Sequence, residues 1–423
     1  MAAPPDIPAD FSALRPERHV ALAVSGGSDS TALMRLAADW ARTNHPGLKL
    51  SVLTIDHGLR PEAAAEAARV GQWAAGLGLP HHVLHWTEQP KPTTGLQARA
   101  RDARYGLMAD WCRGHGATAL LTAHTLDDQA ETVLMRLART MSPDSLAGIR
   151  QFGVWDGLPL LRPLLRAKRQ ALRGWLARLG QPWIDDPSNE DDRFERVRAR
   201  RSLAALGPET AARLAALADR AAAAAALLER AARRWIAFYL QEHETGICHL
   251  ALDRFQRLPE TLQERILGIV IERYGGGRKA PDAEELRRIA RWAAIGEGPV
   301  RCTLGGALLG RRKSGFWVTR EAARIEATPR IVPDTGKLLW DKRFLVEAAP
   351  GAQVAPTASR KLPPSPGVPV YALRACPWVE QPPGVPPPRS RFLRLTTHGR
   401  AIYPKAVLGN TSAPAYVIGQ SEI

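Results

Sequence analysis

Over residues 19–150 the apolar positions alternate between two periods. Residues 19–24 form a short apolar run, and the polar loop Ser25-Gly26-Gly27-Ser28-Asp29-Ser30 follows it. Residues 31–38 then space their apolar side chains as one face of a helix. A second apolar, β-rich run at 48–55 ends in Asp56-His57-Gly58-Leu59-Arg60. An Ala-rich helix is predicted over 62–76, stopped by Gly78 and Pro80. Residues 82–86 read as a third strand, 96–112 as a helix, and 117–122 as a fourth strand ending in Ala123-His124. Strands alternating with helices predict an α/β fold with a doubly wound parallel sheet. Ligands of such sheets sit beyond the carboxyl ends of the strands. The loops at 25–30, 56–60 and 122–132 are therefore expected to converge.

Further on, Gly207-Pro208 breaks the pattern, and 209–240 reads as one long helix with six consecutive alanines, 221–226. Alanine is the best helix former, so this segment is expected to be a rigid connector. A helix is predicted over 282–293, with Leu286 and Ile289 on one side and Arg287, Arg288 and Arg291 largely elsewhere. Arg311-Arg312-Lys313 reads as a basic turn between strands, and 338–346 as a strand of a small β domain. The proline content of 350–390 predicts loops. The expected domains are 1–205, 206–245 (helical linker), 246–325 (mainly helical) and 326–423 (small, β-type and Pro-rich).

Composition adds a partner. With 58 Lys+Arg against 42 Asp+Glu the chain carries +16, which points to a polyanion such as nucleic acid. Cys112, Cys248, Cys302 and Cys376 lie far apart without a CxxC, against a disulfide framework, a zinc ribbon or an iron–sulfur cluster. No apolar run reaches membrane-spanning length and no secretory signal opens the chain, so a cytoplasmic protein without membrane contact is expected.

The loop at 25–30 carries the most chemistry. Gly26 and Gly27 let the backbone approach an anion, and the first N–H groups of the following helix are unpaired and sit at its positive end. Ser25, Ser28 and Ser30 add donors, and Asp29 is a candidate ligand for Mg²⁺. Nothing in the chain reads GxxxxGK[ST], so this is not a Walker A loop. In 122–132, a helix starting near Leu126 puts Asp128 and Glu131 on one face. They serve as dipole-compensating caps, or they hold Mg²⁺ or an amine. His57 and His124 stand at strand ends, in structural hydrogen bonds or against nucleotide. Arg101, Arg104 and Tyr105 share one side of the third helix.

The hexapeptide resembles the pyrophosphate-binding loop of the ATP pyrophosphatase (PP-loop) superfamily, whose members cleave ATP between the α- and β-phosphates and adenylate a substrate oxygen. The ordered set resembles the tRNA(Ile)-lysidine synthetase family: SGGSDS, DHGLR, the run 98–105, TAHTLDDQAET, Arg162-Pro163-Leu164-Leu165 and the segment 183–196. One departure is Val197, where the family often has Asn between the arginines matched by Arg196 and Arg200. The resemblance implies a ligase for which ATP activates C2 of the wobble cytidine of the CAU-anticodon isoleucine tRNA. Free lysine then displaces AMP, and codon specificity changes from AUG to AUA. It implies ATP contacts from Ser25, Gly26, Gly27, Ser28, Asp29, Ser30, Asp56, His57 and His124, with Mg²⁺ at Asp29. Catalytic roles fall to Asp29, Asp128, Glu131, Arg104 and Arg196. The region 250–320 resembles the family's helical substrate-binding domain, so its arginines follow a tRNA backbone or form a solvated face. A homodimer fits the architecture. Two rival readings are a tRNA thiolase using the same adenylation and a tRNA-binding protein without turnover.

Overall fold

The structure is a computed structural model. It describes residues 7–56, 58, 62–86, 96–185, 195–243, 247–276, 281–295, 300–312, 315–341, 343–357 and 368–382, the side chains of 96–98, 100 and 101 apart, with the backbone of 391–395 and 401–402. The chain divides into two compact units, Met1–Ala225 and Ala226–Ile423.

In the first unit the strands are β1 (His19–Ala23), β2 (Lys49–Asp56), β3 (His81–His85), β4 (Ala119–Leu121), β5 (Phe152–Trp155) and β6 (Leu158–Leu161). The helices are α1 (Ser28–Asn44), α2 (Ala63–Gly76), α3 (Leu96–His115), α4 (Leu126–Leu137), α5 (Pro143–Leu146), α6 (Arg169–Arg178) and α7 (Glu195–Ala205). A long helix, α8 (Thr210–Tyr239), contains the division between the units. The sheet order is β3-β2-β1-β4-β6-β5, parallel except for the hairpin partner β5 at one edge. Period-two alternation sends Val20 and Leu22 to one face, in a core with Leu33, Leu36, Val70 and Leu172, and Ala21 to the other, with Leu53, Tyr105 and Met108. Both faces are thus covered by helices, which is why the strands read as nearly unbroken apolar runs. The chain goes from β1 to β2 on one side, while β4 lies on the other side of β1. The gap between the ends of β1 and β4 is therefore the topological switch point where such sheets hold ligands.

In the second unit, strands β7 (Leu240–Glu242), β8 (Cys248–Ala251), β9 (Arg301–Leu304), β10 (Ala307–Arg312) and β11 (Gly315–Arg320) form an antiparallel sheet in the order β7-β8-β11-β10-β9. Between β8 and β9 lie α9 (Leu252–Phe255), α10 (Glu260–Gly275) and α11 (Ala283–Ile295). The strands read on either side of 311–313 are β10 and β11, with Arg311 and Arg312 at the end of β10. On α11, Arg287 donates to Glu264 and Arg291 to Glu260, each at 3.2 Å, so these guanidiniums sit in exposed intramolecular pairs.

The predicted strand 338–346 is instead a hairpin, β13 (Lys337–Trp340) and β14 (Phe344–Glu347), after the two-residue β12 (Arg330–Ile331). Asp341 turns the chain at φ +46°, and its carboxylate accepts from Arg343 Nε at 2.6 Å. The Pro-rich stretch holds β15 (Gln353–Pro356), α12 (Val370–Leu373) and β16 (Pro377–Glu380). Its strands tolerate proline because Pro356 and Pro377 lie at strand ends. Among the described residues, no helix is long and apolar enough to cross a membrane.

Candidate active site

The loop after β1 closes on itself. Ser30 Oγ donates to the Gly27 carbonyl at 3.0 Å and accepts from the Ser25 N–H at 3.2 Å, while Thr31 Oγ1 donates to the Gly26 carbonyl at 3.1 Å. Gly26 has φ +90°, and a Cβ there would lie 2.6 Å from Ile184 Cδ1. Ile184 in turn donates its N–H to the Gly26 carbonyl at 2.9 Å. The segment 183–185 thus braces the phosphate loop, and Arg173 completes the brace: it donates to Ser28 Oγ at 3.2 Å and to Asp185 at 2.6 Å. With Gly27 as the residue before α1, the helix start stays open at its positive end.

Asp29, in the first turn of α1, and Asp128 and Glu131, on α4, meet at one side chain that sequence reasoning missed, Arg169. Its Nε donates to Asp29 at 2.7 Å and its Nη2 to Asp128 at 3.1 Å, and its Nη1 lies 3.7 Å from Glu131 Oε1. The backbone N–H of Arg169 donates to Asp127 at 2.8 Å. A signal existed in the sequence: α6 opens on Lys168 and Arg169 with no acid in its first turn, which the helix dipole disfavours. Such a local conflict marks a partner supplied from elsewhere in the fold.

The three carboxylates differ. Both oxygens of Asp128 are engaged: Oδ2 accepts from the N–H and the hydroxyl of Thr125, each at 2.9 Å, closing a capping box, and Oδ1 accepts from Arg169. Burial alone would raise its pKa, but Arg169, His124 and the Thr125 donors outweigh it and hold the carboxyl below its usual range. The capping and site readings of Asp128 therefore both apply. Glu131 is 1% exposed, and its Oε1 accepts from Arg200 Nε at 2.9 Å. Its Oε2 has no hydrogen-bond partner among the described residues. Burial pushes the Glu131 carboxyl up, against the pull of Arg200 and Arg169. Burial likewise raises Asp29, with Arg169 opposing it.

Other predicted residues stand further out. Asp56 ends β2, accepts from the Gly58 N–H at 2.8 Å and lies 3.5 Å from His85. His124 Nδ1 pairs with Thr122 Oγ1 at 3.0 Å. Arg104 lies over the Tyr105 ring at 5.1 Å, and Arg196 is exposed on α7; among the described residues neither pairs with the acidic cluster. Val197, at the departure from the family pattern, is buried where α7 packs on α4. His57, most of the segment 183–196, Lys313 and the Arg101 side chain lie outside the described residues. Cys112 and Cys302 are pushed up to about 11 by burial, which disfavours the thiolate.

This arrangement places anion donors beside a carboxylate set able to hold a cation or an amine. Residues 7–206 match the family model of the PP-loop domain. The tRNA(Ile)-lysidine synthase of Methylobacterium nodulans is 47% identical over 306 residues, covering 69% of this chain and 86% of that protein. That of Ruegeria pomeroyi is 40% identical over 346 residues, 80% of this chain and 78% of its own. A solved U34-tRNA thiolase from Methanococcus maripaludis, described with its iron–sulfur cluster, aligns with TM-score 0.44 and 16% identity over 50% of this chain and 75% of that one. Sharing this much sequence over most of both chains with those synthases, the chain belongs to the tRNA(Ile)-lysidine synthase family.

Proposed function

We propose that the chain joins free L-lysine to C2 of the wobble cytidine in the CAU-anticodon isoleucine tRNA, at the expense of ATP. The C2 oxygen of cytosine attacks the α-phosphorus and pyrophosphate leaves. The lysine ε-nitrogen then bonds to C2, the C2–O bond breaks and AMP departs, leaving lysidine. The backbone and hydroxyl donors of the loop 25–30 are suited to the negative charge that grows on departing pyrophosphate.

The observation that carries this reading is the buried Glu131 oxygen that has no partner among the described residues, joined through Arg169 to Asp29 at the start of α1. The lysine ε-amine, with an ordinary pKa of about 10.4, must attack in its neutral form, so a base must take its proton. Glu131 has the free lone pairs and the raised affinity for a proton. Asp128, held ionised, orients the ammonium group instead. Asp29 suits Mg²⁺: among the described residues Oδ1 accepts only a long 3.3 Å bond from Ser28, and this ion takes one or two carboxylates besides phosphate oxygens. When bound, Mg²⁺ would neutralise charge on the phosphates.

The test is an incubation of the protein with ATP, Mg²⁺, labelled lysine and a CAU-anticodon isoleucine tRNA transcript, beside a transcript with uridine at the wobble position. Label in the first tRNA alone, with one AMP formed per lysine, is expected. AMP without label would reject lysine as the nucleophile, and neither product would reject the synthase reading.

A further inference from the structure

Arg169 is the one side chain among the described residues that touches carboxylates from both halves of the site. Its partners come from the first turn of α1, which follows the phosphate loop, and from α4, which follows β4. Among the described residues, Arg200 pairs with Glu131, and Arg173 donates to Ser28 and Asp185 and lies over the Trp183 ring. The guanidinium is 20% exposed and its partners Asp29, Asp128 and Glu131 are 18%, 13% and 1% exposed, so these charges meet largely out of water. A planar fork suits this geometry, because it donates to Asp29 and Asp128 at fixed angles while its third nitrogen faces Glu131 at 3.7 Å, which an ammonium on a flexible stem cannot reproduce. The base of the side chain is itself anchored, because the Arg169 N–H is bonded to Asp127 in the same acidic turn.

We propose that Arg169 is a positioning residue that ties the phosphate loop to the acidic pair on α4, so that the activated base and the attacking amine meet at a set distance. This rests on the adenylation reading above. Arg169 forms no bond with a reacting atom. It acts through Asp29 on the ATP side and through Asp128 and Glu131 on the amine side. The phosphate donors are backbone N–H groups and serine hydroxyls that Arg169 does not touch, so ATP binding and turnover respond differently to its loss.

The experiment compares Arg169→Gln and Arg169→Lys with the wild type in full-length protein, reading AMP formation, lysine incorporation, the KM for ATP and the thermal midpoint. For Arg169→Gln, kcat for AMP formation is expected to fall about 100-fold, the scale of a small misplacement of reacting groups, while the KM for ATP changes less than about threefold. Arg169→Lys, which keeps the charge and loses the fork, is expected to regain about tenfold of that loss. A purely structural role would lower the midpoint and the active fraction of both variants alike, with no gain in Lys over Gln once activity is normalised to folded protein. That outcome, or wild-type kcat in Arg169→Gln, overturns the proposal. AMP formation reads Arg169 whatever the nucleophile is. A wild type that forms AMP without incorporating lysine therefore removes the lysine assignment and still decides the role of Arg169. A wild type that forms no AMP removes both.

Discussion

Gly26→Ala is the sharpest test of the phosphate loop, because the neighbouring Gly27→Ala supplies its own control. At Gly26 an added Cβ must adopt φ +90° and would sit 2.6 Å from Ile184 Cδ1 and 3.2 Å from Val70 Cγ2. The left-handed backbone costs about 1–2 kcal/mol for a residue with a side chain. Forcing a methyl into the packed contact adds about 1–3 kcal/mol. The sum, roughly 2–5 kcal/mol, shifts the midpoint of a unit this size by about 2–4 °C per kcal/mol, hence by roughly 4–20 °C. Gly27 has φ −64°, and its Cβ would come no closer than 3.7 Å to Ser25 Oγ, so Gly27→Ala is expected to fold with an unchanged midpoint. Its methyl would instead project at the start of α1, where an anion approaches the helix N–H groups, and ATP binding is expected to weaken. Differential scanning calorimetry and ATP titration of both variants check this. A Gly26→Ala midpoint within about 2 °C of wild type would refute the strain argument. Undiminished ATP affinity in Gly27→Ala would refute the placement of the phosphates.

Two further outcomes follow from the buried polar groups. Glu131→Gln keeps an acceptor for Arg200 and removes the proton acceptor, so kcat for lysine transfer should fall about 10²–10⁴-fold with ATP affinity intact; rapid-quench measurement of lysine transfer decides it, and wild-type kcat would assign the base elsewhere. The imidazole of His19 donates from Nδ1 to the His115 carbonyl at 3.1 Å and pairs through Nε2 with Ser51 Oγ at 2.9 Å. Burial first, and then Lys49, lowers its pKa below the ordinary value of about 6.5. Because the unfolded chain takes up the proton first as pH falls, the neutral fold is favoured above that value and loses stability below it. Thermal midpoints at about pH 7.5 and 5.5 should therefore differ more in wild type than in His19→Gln; equal drops would contradict this assignment.

Much of the catalytic unit could be read along the chain because its determinants are local. The strand–helix rhythm, the glycine turn after β1 and the Asp128/Glu131 spacing on α4 each depend on residues within one or two turns of each other. The same locality hid Arg169, whose bond to Asp29 spans 140 positions. No periodicity names that partner, and only the packing of α6 against α1 makes the pair adjacent. The three carboxylates were equivalent acids in the sequence. Folding made them different by engaging both oxygens of Asp128 in a cap and an ion pair while leaving one oxygen of a buried Glu131 without a partner among the described residues. In the second unit, the turn at Asp341 split an expected strand into a hairpin. Element type and the chemical inventory of the site came from the order of residues. Which acid faces which base, and which lone pair stays free, came from packing that joins distant segments in a low-dielectric interior, where one charge sets the protonation of its neighbours.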